Sequence, residues 1–197
     1  MTSSSRTFLP MTGMQFLAAV GAMCAVVVGS NILVQFPINQ WLTWGAISYP
    51  IAFLVSDLLN RRFGPSAARR VVVVGFIAAV VFSVWAATPR IALASGMAFL
   101  FAQLLDITVF NRLREQRWWR APLLAGVAGA TLDTCIFFSV AFAGTGIDWV
   151  SLLTGDLAVK LVVNATMLVP FRVLMWNLGR PALLGSGMAD NLHQSTQ

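Results

Sequence analysis

The chain has 197 residues, of which 58% are hydrophobic and only 10% charged, and its mean hydropathy is +0.78. Soluble domains carry about 45–50% apolar and about 25% charged residues, so an ordinary water-soluble enzyme, a disordered protein and a disulfide scaffold are excluded. The formal charge of +6 does not point to nucleic acid, because the bases sit between long apolar runs rather than along a stripe of a soluble fold. This is the composition of a membrane protein.

A membrane-spanning helix needs about 20 mostly apolar residues, and six segments qualify. Met14–Val34 follows Arg6 but is longer than a signal core, and reads as an uncleaved first span. Trp41–Leu59 contains Pro50, which predicts a kink or local unwinding. Val71–Ala87, Ile91–Phe110 and Pro122–Phe142 follow, the last opening on a proline suited to a helix N-terminus. Ser151–Trp176 is the sixth, with a second expected kink at Pro170. Phe36-Pro37, Phe63-Gly64-Pro65 and Thr88-Pro89-Arg90 supply breaks between spans. The expectation is an all-α membrane protein with six transmembrane helices over residues 14–178, a disordered N-terminus over 1–13 and a polar tail over 179–197.

Orientation follows from arginine. Arg61, Arg62, Arg69 and Arg70 follow the second span, and Arg112, Arg114, Arg117 and Arg120 follow the fourth. Arg6 and Arg180 flank the ends, whereas Arg90 with Asp148 nearby stands on the other side. Basic loops stay cytoplasmic, so both termini are expected inside. Trp41 and Trp44 on one side, with Trp118 and Trp119 on the other, fit interfacial belts. Cys24 and Cys135 lie in apolar runs, where they read as small packing residues.

Ionisable and amide groups inside a bilayer are costly and usually face a bundle interior, a partner or a pathway. In the fourth span Gln103 and Asp106 share a face with Phe99 and Phe110. In the fifth, Gly126, Ala130, Asp133 and Phe137 make one stripe, whose small residues admit another helix or a flat ligand. In the sixth, Asp156, Lys160 and Asn164 recur every four residues, with Asp156 placed to pair with Lys160. Asp133 and Lys160 read as a site in preference to a mutual neutralisation. Asp57 and Asp106 lie near the arginine loops and read equally as structural ion-pair partners. Asn31 is either a helix-end cap or a ligand contact. Gly21, Ala25 and Gly29, and Ala18 with Ala22, suggest close helix packing.

Several chemistries are missing from the sequence. The single histidine, His193, lies in the tail, which removes histidine triads, H-E-x-x-H zinc sites and histidine-ligated haem. No metal site and no cofactor is expected. There is no Walker loop, and nothing assembles a nucleophile, base and orienter. A membrane enzyme using Asp106 and Asp133, formally a possible carboxylate pair, is therefore the weaker hypothesis.

Five segments resemble the bacterial queuosine precursor transporters of the vitamin-uptake-transporter family. They are Ser30 to Pro37; Thr43 to Ala46 continuing to Phe53 to Leu58; Phe63-Gly64 with Ala68-Arg69-Arg70; Gln103 to Asp106 with Val109 to Arg114; and Trp118-Trp119 with Ala121-Pro122 and Asp133-Thr134. Lys160 and Pro170 fall where that family's sixth span has a lysine and a proline. Where other branches carry an acidic Glu-Val-Tyr-Gly-like sequence, this chain has Arg61-Arg62-Phe63-Gly64, which is similar to the proteobacterial type.

The resemblance implies uptake of 7-cyano-7-deazaguanine, and of its aminomethyl relative, across the bacterial inner membrane for queuosine synthesis in tRNA. It also implies a six-helix fold similar to the substrate-binding subunits of energy-coupling-factor transporters. A deazaguanine offers two N–H donors, a carbonyl acceptor and a flat π-face, which a carboxylate, a lysine or amide, and an aromatic ring can match. Asp133 or Asp106 is expected at the donor edge and Lys160, Asn164 or Gln103 at the carbonyl. Phe137, Trp44 or Phe99 is expected at the ring face, with Asn31 a secondary contact and Asp57 at a cytoplasmic gate with arginine. The expected partners are the small base and membrane lipid, with a homodimer and an external ATPase module left open and the latter not favoured.

Overall fold

The computed structural model describes residues 8–33, 36–39, 42–83, 89–146 and 148–178. Helix α1 (Gly13–Leu33) leads through a short antiparallel pair, β1 (Pro37–Asn39) and β2 (Leu42–Thr43), into α2 (Trp44–Ser48) and α3 (Pro50–Phe63). Helices α4 (Pro65–Ser83), α5 (Pro89–Leu113), α6 (Arg120–Phe142), α7 (Trp149–Thr166) and α8 (Leu168–Leu178) complete the chain. Among the described residues, four stretches are long and apolar enough to cross a membrane: Gly13–Ser30, Arg90–Leu113, Arg120–Phe142 and Trp149–Trp176. The protein is nearly all-helical, as expected.

Both expected kinks are present, and each has a proline as its cause. Pro50 opens α3 one residue after α2 ends, so Tyr49 sits at the break. Pro170 has no N–H for the Thr166 carbonyl, and the helix is interrupted at Met167, between α7 and α8.

The turn after α3 is shorter than the sequence suggested. Gly64 adopts φ 86°, a conformation that favours glycine, and Pro65 starts α4 at once. The expected loop carrying Arg61, Arg62, Arg69 and Arg70 is therefore a one-residue turn, with those arginines on the adjoining helix ends. The Phe8 ring closes over this turn; a Cβ at Gly64 would lie 2.7 Å from its Cδ2.

The longest helices, α5 of 25 residues and α6 of 23, pack along each other, with α4 and α3 against α5, α7 against α6, and α1 against α4. Arg90 Nε and Nη2 donate to the carbonyls of Val140 and Ala143 at 2.9 and 2.6 Å, tying the start of α5 to the end of α6. At the opposite end Arg61 Nη1 donates to the Arg114 carbonyl at 2.8 Å. The buried Arg114 donates to the Asn60 carbonyl and, at 3.0 Å, to Asn60 Oδ1.

Leu17, Ile77, Val162 and Val169 are more than half exposed, while Gln103, Asp106, Asn60 and Thr134 are wholly buried. Apolar side chains outside and polar ones inside is the distribution a bilayer demands. Among the described residues, nothing packs closely on the small-residue face of α1. Ala18, Gly21, Ala22 and Ala25 are exposed, and a Cβ at Gly21 or Gly29 would meet no described atom within 4 Å.

Candidate functional site

Two clusters of polar side chains stand out inside the bundle among the described residues. At the first, Lys160 of α7 reaches across to α6: Nζ lies 2.9 Å from Asp133 Oδ2 and 2.6 Å from Asp156 Oδ2. It also donates to Thr134 Oγ1 at 3.2 Å, and Thr134 in turn donates to Asp156 Oδ2 at 2.9 Å. Tyr49 donates its hydroxyl to Asp133 Oδ1 at 2.9 Å, and its ring faces Lys160 Nζ at 5.4 Å. Two carboxylates thus surround one ammonium, with every short contact charge-assisted. Lys160 and Tyr49 are the only residues of their types in the chain.

An aromatic wall adjoins this cluster. Tyr49 meets Phe53 and Phe99 edge-on at 6.0 and 6.2 Å, and Phe99 stacks on Phe76 at 6.0 Å. Phe53 reaches α6 at Gly129, where a Cβ would stand 2.7 Å from its ring and 3.3 Å from Asp106 Cβ. A larger residue at 129 would push both away.

The second cluster lies towards the arginine-rich end. Asp57 of α3 and Asp106 of α5 bring their carboxyl groups within hydrogen-bonding reach of each other. Ser56 donates to Asp106 Oδ2 at 3.4 Å, and Asn60 Nδ2 to the Ile107 carbonyl at 2.9 Å. Asp57 Oδ1, Asp106 Oδ1 and both amide atoms of Gln103 are buried with no hydrogen-bond partner among the described residues. Such orphaned groups cost about 1–3 kcal/mol each. A cavity of about 10 Å³ borders Asp57, Asn164 and the Met167 break, and is water-sized.

Of the residues singled out from sequence, the structure brings Asp133, Lys160 and Asp156 together, with Phe99 in the adjoining wall. The i, i+4 pair of Asp156 and Lys160 forms as expected. Asn164 lies elsewhere: it donates to the Leu123 carbonyl at 3.2 Å and fills the space left by Gly126. The small stripe on α6 thus admits neighbouring helices. Trp44 is 52% exposed. Phe137 packs on Phe138 and Phe142. Asp57 meets Asp106; among the described residues no arginine closes an ion pair with it. The side chain of Asn31, and Trp41, lie outside those described. Sequence reasoning passed over Tyr49, whose signal was its place before Pro50, and Arg172, a cation inside the last apolar run.

A multi-pass helical protein with a self-paired polar cluster at its centre is built as a membrane transporter is built. The chain belongs to the family described as "Putative vitamin uptake transporter", which matches residues 43–88 and 82–175; it is accordingly a transporter and not an enzyme. It is 34% identical to the queuosine precursor transporter of Escherichia coli (strain K12), over 78% of this chain and 82% of that one. It is 31% identical to a "Probable queuosine precursor transporter" of Haemophilus influenzae (strain ATCC 51907 / DSM 11121 / KW20 / Rd), over 74% and 79% of the two chains. A third relative of the same description, from Bacillus subtilis (strain 168), is 26% identical over 62% and 66%. No solved structure matches the chain significantly.

Proposed function

We propose that the protein imports the queuosine precursor 7-cyano-7-deazaguanine, and also accepts 7-aminomethyl-7-deazaguanine, across the bacterial inner membrane. The observation that carries the reading is Asp133, a buried carboxylate held between Tyr49 and Lys160 beside the Phe53–Phe99 wall. A carboxylate accepts the two adjacent N–H donors of a guanine-type edge. Lys160, released from Asp133, donates to the ring carbonyl while Asp156 continues to balance its charge. The aromatic wall takes the π-face. Gln103, with an unpartnered amide, and Asp106 form the next polar station towards the arginine-rich end.

The cavities of about 60 and about 10 Å³ at that end are far below the roughly 300–1,000 Å³ of small-molecule sites. The base therefore enters by parting helices, and the breaks at Tyr49 and Met167 are the hinges. Because Tyr49 is both hinge residue and Asp133 partner, opening there withdraws the hydroxyl that the ligand replaces. Exchanging internal hydrogen bonds for equivalent ones to ligand keeps the carboxylate satisfied throughout.

In this reading α1, α2–α3, α4, α5, α6 and α7–α8 are the six spans, arranged similarly to the substrate-binding subunits of energy-coupling-factor transporters. Both termini are cytoplasmic, in keeping with the arginines gathered at one end. The transporter works without a resident ATPase module. Uptake of labelled 7-cyano-7-deazaguanine into proteoliposomes holding only this chain, with and without an uncoupler, tests this. Saturable uptake inhibited by unlabelled base is expected, and no uptake by correctly folded protein refutes it.

A further inference from the structure

The arginine-rich end holds a second place that the substrate site does not use. The cavity of about 60 Å³ there is lined by Arg61 of α3, Phe110 of α5, Trp118, and Phe171, Arg172 and Met175 of α8. Two arginines thus line one small space with no carboxylate in its lining, an arrangement of like charges that an anion would relieve. Among the described residues neither arginine closes an ion pair.

Both cations are held ready. Arg61 is oriented by its bond to the Arg114 carbonyl at 2.8 Å, which leaves the rest of its fork available. Arg172 lies 5.1 Å from the Trp118 ring and 5.6 Å from the Trp176 ring. These cation–π contacts fix the guanidinium without consuming its N–H donors. Arginine forks match phosphate oxygens in geometry as well as charge. A space of about 10–15 Å³ on this measure holds one water, so the cavity takes a few waters or a compact oxyanion in their place.

The surroundings name the rest of the ligand. On the outer face of α8 next to the cavity, Val169 is 68% exposed, Val173 53% and Trp176 58%. Exposed indoles at Trp118 and Trp176 mark the level at which headgroups lie. A charged head in the cavity and a hydrocarbon tail along α8 describe an amphiphile. We propose that Arg61 and Arg172 form a binding site for a phosphate-bearing anion, supplied by the headgroup of an anionic phospholipid. The bound phosphate bridges α3 to α8, and so restrains the segment beyond the Met167 break. This assignment is independent of which substrate is carried.

The test is thermal unfolding of the delipidated full-length chain in detergent. It is titrated with phosphatidylglycerol, with phosphatidylcholine of the same acyl chains, and with inorganic phosphate. Phosphatidylglycerol is expected to raise Tm saturably, with the other two weaker and added salt reducing the effect. The Arg61→Gln/Arg172→Gln variant is expected to need about tenfold more phosphatidylglycerol, while Arg70→Gln, an exposed arginine elsewhere, behaves as the native chain. An unchanged response of the double variant overturns the site. Phosphatidylcholine equal to phosphatidylglycerol overturns the anionic assignment, and inorganic phosphate equal to it overturns the lipid source. If the double variant fails to fold, native mass spectrometry of Arg172→Gln replaces it, with loss of the phosphatidylglycerol adduct expected and its full retention refuting the proposal.

Discussion

Replacing Lys160 with methionine keeps the length of the side chain and removes the one cation that two carboxylates share. Its Nζ stands 2.9 Å from Asp133 and 2.6 Å from Asp156, with Asp133 buried and Asp156 half-buried. Breaking a buried pair by deleting one partner costs about 3–5 kcal/mol, and here the deletion strands two anions, so the upper part of that range is expected. Asp133→Asn is milder, about 1–3 kcal/mol, because Asn keeps an acceptor for Tyr49 and Lys160 keeps Asp156. The double variant leaves only Asp156, which is part-exposed and keeps Thr134 as a donor, and is expected to lose less than the sum of the two single changes. Denaturant or thermal unfolding in one detergent, analysed as a double-mutant cycle, reads all three. Additivity to within about 0.5 kcal/mol, or a Lys160→Met variant more stable than Asp133→Asn, would refute the shared-cation reasoning.

Tyr49→Phe removes the 2.9 Å bond to Asp133 but keeps the ring. A stability loss of about 1.5–3 kcal/mol is expected in melts, together with a larger fractional fall in uptake than in folded protein. Gly126→Ala places a methyl inside the Asn164 amide, and Gly129→Ala places one 2.7 Å from Phe53; each is expected to cost about 1–3 kcal/mol by overpacking. Gly21→Ala, where a Cβ meets no described atom within 4 Å, should be neutral or stabilising by up to about 1 kcal/mol in the same melts. Arg114→Met strips the Asn60 carbonyl and side chain of their donor, and a loss of about 2–3 kcal/mol is expected, with α3 and α5 showing faster hydrogen exchange.

Much of this was legible in the chain because bilayer and water impose opposite rules on the same residues. Lys160 and Asp133 stood out in apolar runs, and burial confirms them as interior groups. Pro50 and Pro170 announced the two breaks, since a missing N–H acts locally whatever the tertiary context. Tyr49 was overlooked because a lone tyrosine beside a proline looks like an interfacial residue; only the fold brings α2 against α7 and its hydroxyl onto Asp133. The ring of Phe137 meets Phe138 and Phe142, which its place on a face with Asp133 did not foretell, since sharing a helix face with a polar residue does not fix which neighbour a ring meets. The helix ends differed where Gly64 let α4 begin immediately, moving four arginines from a loop onto helices. Arg172 lay hidden in a hydropathy window that its apolar neighbours dominate.

The most direct test of the central claim is binding of 7-cyano-7-deazaguanine to the purified chain by thermal shift, beside Asp133→Asn and Asp106→Asn variants. A saturable rise in Tm with the native chain, abolished in Asp133→Asn and retained in Asp106→Asn, is the predicted result. No shift of the folded native chain at millimolar base, or a shift that survives Asp133→Asn unchanged, would contradict it.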